Sequence, residues 1–461
     1  MPDQAASHVR AAPPATRLIA AFAAGDASPV EMAKAAFARI RECDGALGAM
    51  VVLAEDLAHA QASEAEKRWR AGDAPPLADV PFTIKDTFDI AGFVTTRGSR
   101  VFTRNVAFED SGVVRRLRAA GAVFVGKTNT AEFGQSATSE NLLGPVTRNP
   151  WNPATTPRGS SGGAAVSVAA GYVPLALGAD GGGSIRIPAA MTGIFGFKPS
   201  FALCADEGGF RGMSDFCCPG PLAHTAADAR LFLEILAERQ FPRAGKTTSR
   251  RIGYCPAPDG LPVAPAIRTT LNGIATQLGT LGHEVEEIAL TLDGWDEAFG
   301  PLVLAEEWRE RGHLLDRHRD DLTDYEVASL EAAGALTPDQ VGRARGLHAD
   351  YSARIGALFA RYDMLLLPTT ATPAFPIGER PKEIDGRRVG RLWGAFPFTS
   401  PFNVAGLPAA ALPCGLADGL PISAQLVAAP GQDHPLLDLA QDLEDAIGFG
   451  KQVAGKQAGH G

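Results

Sequence analysis

The sequence predicts an α/β fold in which a parallel or mixed sheet is covered by helices. Three observations carry that expectation. Residues 15–75 are Ala-rich with apolar side chains at helical spacing, as in VEMAKAAFARIREC and EDLAHAQASEAEKRW. The stretch VPFTIKDTFDI then changes character, with β-branched and aromatic residues bounded by Pro and Gly, which is strand-like. Finally the two patterns alternate: SGVVRRLRAAGAVFVGKTN reads as a helix, a stop at Gly121 and a short strand AVFVG. Alternation of this kind is how helices come to cover a sheet.

The remaining elements follow in chain order. Residues 159–179 contain no charge over 21 positions, a length that could cross a membrane. Five glycines, a proline and three serines, with little Leu or Ile, fit a buried helix followed by a buried strand instead. From 226 to about 360 the pattern is mainly helical, broken by strand-like RIGYC and HEVEEIAL. Charged, Leu-rich 297–361 reads as several solvent-facing helices, and DMLLLPTT and LPAAALPCG return to buried-strand character. No repeat, linker or composition break marks a domain boundary, so 1–461 is expected to be one domain. Within it, 1–75 supplies N-terminal helices, 76–225 the core motifs, 226–362 a mainly helical region and 363–461 a return to the sheet.

Composition narrows the function. The 461 residues are 45% hydrophobic, enough for a large core, and the net charge is −9. A nucleic acid or an anionic membrane would want a basic face, so neither is expected as a partner. Six cysteines with no Cys-x-x-Cys, and only Cys217-Cys218 adjacent, read as free thiols in a reducing compartment. MPDQAASHVRAAPPATR has no apolar core of a signal peptide. A soluble cytoplasmic protein, monomer or homodimer, is the expectation. His313 and His318 lack metal-ligand spacing and no His-Glu-x-x-His occurs, so neither metal nor cofactor is expected.

Chemistry concentrates in two glycine-rich stretches. GADGGGSIRIP (178–188) places three glycines before Ser184. It lacks the lysine of a P-loop and the spacing of a dinucleotide site. Backbone N–H groups converging on a developing oxyanion, with Ser184 as nucleophile at the rim, is the other reading. PRGSSGGAA (157–165) contains Gly-x-Ser-x-Gly, which would make Ser161 the nucleophile of an elbow. The preceding NPWNPATTPR is loop rather than the strand an elbow needs. The scattered histidines, His224, His283, His313, His318, His348 and His434 among them, offer no evident base. A neutral lysine can serve instead. Lys85, ending VPFTI and followed by Asp86, is one candidate, and Lys127 in VFVGKTNT is its rival.

The ordered series IKD, GKTNTAEF, NPWNP, GSSGGAA and GADGGGSIRIPAAMTGIFGFKPS resembles the amidase signature family. Ser184 follows Ser160 by 24 positions (184 − 160), as in that family, and PFNVAGLPAAALPCG is similar to its closing segment. The resemblance is specific over about 75–230 and looser over about 395–440. It implies a large mixed central β-sheet covered by helices on both faces. It also implies a Ser–cis-Ser–Lys triad: Ser184 as nucleophile, Ser160 as relay after a cis peptide, Lys85 as base. Gly181, Gly182, Gly183 and Ser184 would then give the oxyanion N–H groups, with Asp180 and Arg186 tying the loop down.

What the resemblance implies chemically is acyl transfer from a small-molecule amide. Aryl and apolar amides lead. Carbamates and esters are alternatives, the former through a similarity to bacterial members that cleave urethanes. A second role is the amidase component of a complex that makes Gln-tRNA, although the Tyr- and Ser-rich loop expected there is missing. A third is a non-catalytic scaffold, against which all three triad residues are retained. Arg158 departs from the family, standing where it usually has glycine. Thr130, Gln135, Arg158, Trp393 and Phe396 are candidates to line the substrate site. The aromatic run RLWGAFPFTSPF would border the cleft or pack the core. The 201–224 segment is expected at the substrate mouth, and it and the 295–362 helices are the expected selectors.

Overall fold

The structure, a computed structural model, describes residues 8–243 and 248–450. In chain order the strands are β1 (Met50–Leu53), β2 (Pro81–Lys85), β3 (Val123–Thr128), β4 (Leu175–Asp180), β5 (Phe195–Lys198), β6 (Cys218–Ala223), β7 (Arg251–Tyr254), β8 (Glu284–Glu287), β9 (Met364–Pro368), β10 (Glu383–Ile384), β11 (Arg387–Arg388), β12 (Ala409–Ala417) and β13 (Leu420–Ala428). β10 and β11 form a separate hairpin, and the other eleven make one sheet in the order β1-β3-β2-β4-β6-β5-β12-β13-β9-β7-β8. β2 is parallel to β3 and β4, and β7 to β8 and β9. The remaining pairs are antiparallel, so the sheet is mixed, as expected.

The helices are α1 (Ala15–Ala24), α2 (Pro29–Leu47), α3 (Glu55–Ala71), α4 (Gly112–Ala119), α5 (Gly162–Ala169), α6 (Arg186–Thr192) and α7 (Ala226–Leu236). They continue with α8 (Pro265–Thr280), α9 (Trp295–Arg311), α10 (Leu314–His318), α11 (Asp324–Gly334), α12 (Pro338–Gly356), α13 (Ser400–Val404) and α14 (Asp433–Ile447). Every residue of β2, β3, β4, β5, β6 and β9 is buried, which requires cover on both faces of the sheet. Strand alternation sorts those residues into two cores. Phe82, Ile84, Phe124, Leu175 and Leu177 pack with α4, α7, α8 and α14. Val123, Val125 and Ala176 pack with α2, α3, α5 and α6.

Contrary to expectation, residues 15–75 are not helical throughout, because MVVL forms β1 at the edge of the sheet, antiparallel to β3. Gly48, left-handed at φ +59°, ends α2, and the four residues of β1 alternate half-buried and exposed. The expected helix and strand of 159–179 are α5 and β4. Among the described residues no helix is long and apolar enough to cross a membrane.

The parallel trio β3-β2-β4 brings the carboxyl ends of β2 and β4 side by side, the place where open α/β sheets gather chemistry. Lys85 is the last residue of β2 and Asp180 the last of β4.

Candidate active site

Lys85 is 2% exposed. Its ammonium donates to Ser160 Oγ at 2.8 Å, and Ser160 Oγ donates to the Gly134 carbonyl at 3.0 Å. Among the described residues no carboxylate forms an ion pair with it. Burial therefore lowers the Lys85 pKa from 10.5 to about 8, against weaker pulls from Cys217 and Asp180. The peptide between Gly159 and Ser160 is cis.

The rival lysine lies elsewhere. Ile84 pairs with Lys127 and Lys85 with Thr128 across β2 and β3, so the two lysines project to opposite faces. Lys127 Nζ pairs with Asp86 at 3.1 Å and donates to the Val94 carbonyl at 3.1 Å and to Thr95 Oγ1. Asp86, which follows Lys85 in the chain, is thus the buried partner of Lys127. Ser161 is also committed: its Oγ donates to Ala179 O at 3.2 Å and accepts from Ala179 N at 3.3 Å. The elbow reading has no support in this geometry.

Ser184 sits on a turn held by buried charge. Arg186 donates from Nε to Asp180 Oδ2 and from Nη2 to Asp180 Oδ1, both at 2.9 Å. The same guanidinium reaches Gln425 Oε1 at 2.7 Å, Asn403 Oδ1 at 2.6 Å and Thr399 O at 3.0 Å. Asp180 in turn accepts from the N–H groups of Gly183, Ile185 and Arg186. Against the cost of its own burial, Arg186 holds the Asp180 carboxyl well below the usual carboxylate range. The Gly182 carbonyl accepts from Thr399 Oγ1 at 2.9 Å and Ser400 Oγ at 2.8 Å. Because the Gly183 N–H is engaged by Asp180 at 2.7 Å, the N–H groups left open on the turn are those of Gly181, Gly182 and Ser184. Gly183 has φ +119°, and a Cβ there would strike Thr399 Oγ1 and Ile187, so only glycine fits.

Lys85, Ser160, Gly181 and Ser184 all face one cavity of 510 Å3. Its other walls include Phe88, Phe133, Phe201, Phe210, Met213 and Cys217. The 201–219 stretch, within the 201–224 segment expected at the mouth, contributes most of them. Burial pushes the Cys217 thiol up to about 12, Lys85 opposing, so it stays protonated and is no nucleophile at neutral pH. No histidine lines the cavity, and among the described residues no cluster of His, Cys, Asp and Glu could hold a metal.

Several expected lining residues lie outside those walls. Thr130 is fully buried, and the Gln135 carbonyl accepts from Tyr325 OH at 3.1 Å. Arg158 is buried with its guanidinium over the Phe375 and Phe396 rings at 5.2 and 5.0 Å, and burial pushes its pKa down to about 10. Trp393 packs edge-on to Trp295 and Phe299 behind Gly182. Phe396, Phe398 and Phe402 are core, so the aromatic run packs the interior rather than bordering the cleft. Nor do residues 295–362 line the cavity. They brace its walls: Glu306 accepts from Ser214 N at 2.7 Å, Arg311 donates to Arg211 O at 3.0 Å, and Glu132 accepts from Thr323 N at 2.7 Å. Sequence reasoning missed Cys217, Met213 and Phe210 in the cavity and Asn403 and Gln425 behind the turn. Of these, Phe210, Met213 and Cys217 lay in the 201–224 segment expected at the substrate mouth, and Asn403 in the motif PFNVAGLP.

The Amidase family profile matches residues 31–437. A component of the glutamyl-tRNA(Gln) amidotransferase of Symbiobacterium thermophilum is 33% identical over 92% of this chain and 95% of its own. An acylamidase from Rhodococcus erythropolis is 31% identical over 93% of this chain and 94% of its own. A solved bacterial aryl acylamidase of the amidase signature family superposes with a TM-score of 0.84 at 28% identity, covering 94% of this chain and 96% of that one. Fold and relatives together define a hydrolase of α/β fold acting on amides. The chain belongs to the amidase signature family.

Proposed function

We propose that this protein cleaves small-molecule amides with aryl or apolar parts through an acyl-enzyme on Ser184. The observation that carries the proposal is the buried Lys85–Ser160 contact of 2.8 Å, opening on the same cavity as Ser184. With a pKa of about 8, roughly a tenth of Lys85 is neutral at pH 7. The neutral amine takes the Ser160 proton as Ser160 takes that of Ser184, whose Oγ attacks the carbonyl carbon. The carbonyl oxygen becomes negative against the open N–H groups of Gly181, Gly182 and Ser184. The proton returns through Ser160 to the leaving amine. Water then adds to the acyl-Ser184 ester by the same relay, and the acid leaves.

A carbamate or an ester presents the same carbonyl to the same groups, so the leaving group is tested directly. Turnover of a matched aryl amide, aryl carbamate and aryl ester is measured with Ser184→Ala as control. The expected result is turnover led by the amide and abolished in the variant; a leading carbamate would make the enzyme a urethanase. The likeness to a component of a glutamyl-tRNA(Gln) amidotransferase supports a second reading, a partner-dependent glutaminase. Co-purification of this chain with a stoichiometric partner, and no turnover without it, would favour that reading.

A further inference from the structure

The catalytic cavity shares a wall with a second one. Phe133, Gly209, Phe210 and Arg211 face both the 510 Å3 cavity and a side pocket of 220 Å3. That pocket is lined by three arginines, Arg97, Arg211 and Arg311. Arg97 and Arg311 stand over the Phe210 ring at 4.9 and 5.5 Å, and Arg311 also stands over Phe133 at 4.9 Å. Each is therefore fixed by an aromatic face that forms part of the substrate wall.

Their charges are poorly answered. Arg97 reaches Asp89 at 3.7 Å and Arg311 reaches Glu326 at 3.5 Å. Both exceed the length of a good charge-assisted bond, for which about 2.8 Å is typical. Arg311 is 3% exposed, yet its Nη2 has no hydrogen-bond partner, and neither has the buried Nε of Arg97. Burial, and beyond it the neighbouring Arg311 charge, lower the Arg97 pKa against the pull of Asp89. Arg211 makes no ion pair among the described residues. The one acidic side chain of the pocket, Glu310, bonds Arg309 Nε at 3.0 Å. In the catalytic cavity Glu207 is bound to Arg116 at 3.2 Å, and Asp206 accepts from Val113 N at 3.1 Å. The two acids there are engaged away from Arg211.

We propose that the side pocket is a carboxylate subsite, and that the preferred substrates are acidic amides whose carboxylate lies against Arg211, Arg97 and Arg311 while the amide carbonyl meets Ser184. The inference rests on the amidase reading of that site. A planar carboxylate matches a guanidinium fork, and it supplies acceptors for donors that now have none.

Three related anilides test it: butyranilide, succinanilic acid with a carboxylate on the acyl side, and N-butyryl-4-aminobenzoate with one on the amine side. At least one acid should exceed butyranilide in kcat/KM by about tenfold or more. The advantage should shrink as salt rises, and should vanish through KM in Arg211→Gln and Arg97→Gln. Equal or better use of butyranilide, or a preference that survives both variants, would overturn the subsite. Succinate binding to Ser184→Ala, measured by calorimetry, separates this from the chemistry. Where no anilide is turned over, binding that is lost on adding Arg211→Gln supports the subsite, and absence of binding counts against it. Anilide turnover that persists in Ser184→Ala would instead remove Ser184 as the nucleophile, and no turnover of any anilide by the parent would remove the amidase reading.

Discussion

Lys85 is the residue on which the proposed mechanism turns, and its chemistry is set by what surrounds it. A strand whose five residues are all buried delivers the amine to a hydroxyl at 2.8 Å with no ion-paired carboxylate to stabilise its charge. Activity should thus rise about tenfold per pH unit below pH 8 and level off above it, as the amine loses its proton. A pH profile of kcat/KM on a neutral amide checks this. The same shift has a stability sign. The unfolded chain holds the proton up to about 10.5 and the folded chain only to about 8, so stability rises with pH between those values. Below pH 8 the folded protein carries the whole penalty, on the order of 3 kcal/mol at ~1.4 kcal/mol per unit. Lys85→Met should therefore lose activity by about 10²–10⁴-fold yet unfold at a higher temperature at pH 7. Calorimetry of the variant beside the parent decides it. At this scale the sequence was readable where the residues sit close in the chain: the two serines and the lysine are each marked by a local motif. Arg158 was not readable, because Phe375 and Phe396, which stack on its guanidinium, come from a distant segment.

At the scale of elements, the Ser184 turn is rigid because β4, α6, α13 and β13 each contribute to one buried network. Asp180 and Arg186 bond each other, and Asn403, Gln425 and the Thr399 carbonyl add further bonds to the pair. Removing one partner of such a pair leaves a buried charge alone, a loss of roughly 3–5 kcal/mol. Arg186→Gln should unfold at markedly lower denaturant and lose activity even where folded; urea melts and kcat report both. The Gly134 turn is a gentler test. A Cβ there would stand 3.3 Å from Lys85 Nζ and 3.5 Å from Ser160 Oγ, at φ +70°. Gly134→Ala should lower kcat by about tenfold or more for a stability loss of about 1 kcal/mol. The helix-strand pairs around these turns could be read from periodicity and Gly-Pro punctuation. β1 could not, since four residues at a sheet edge carry too little pattern to stand out between two long helices.

For the whole molecule, the arrangement is a mixed sheet carrying Lys85 and Asp180 at the adjacent ends of β2 and β4, with α9 and the start of α11 braced against the cavity walls from outside. That bracing explains why the mouth was legible and its support was not. The 201–219 segment is glycine-rich and irregular and so reads as a lining loop, while the long charged helices read as candidate selectors until their contacts place them behind it. Changes on the cavity side of 201–219 should alter KM between substrates. Changes at Glu306 should act on all substrates together, through the Ser214 anchor. Kinetics of Glu306→Gln on two unrelated amides checks the second point.

The central claim, that Ser184 is the nucleophile in this cavity, is tested most directly by covalent capture. The protein is treated with phenylmethanesulfonyl fluoride at pH 8, digested, and the modified peptide is sequenced by mass spectrometry. The account predicts one sulfonyl group on Ser184, matching the loss of amide turnover, and absent from Ser184→Ala and from Lys85→Met. Modification of Ser161 instead, or turnover that continues in fully sulfonylated protein, would contradict it.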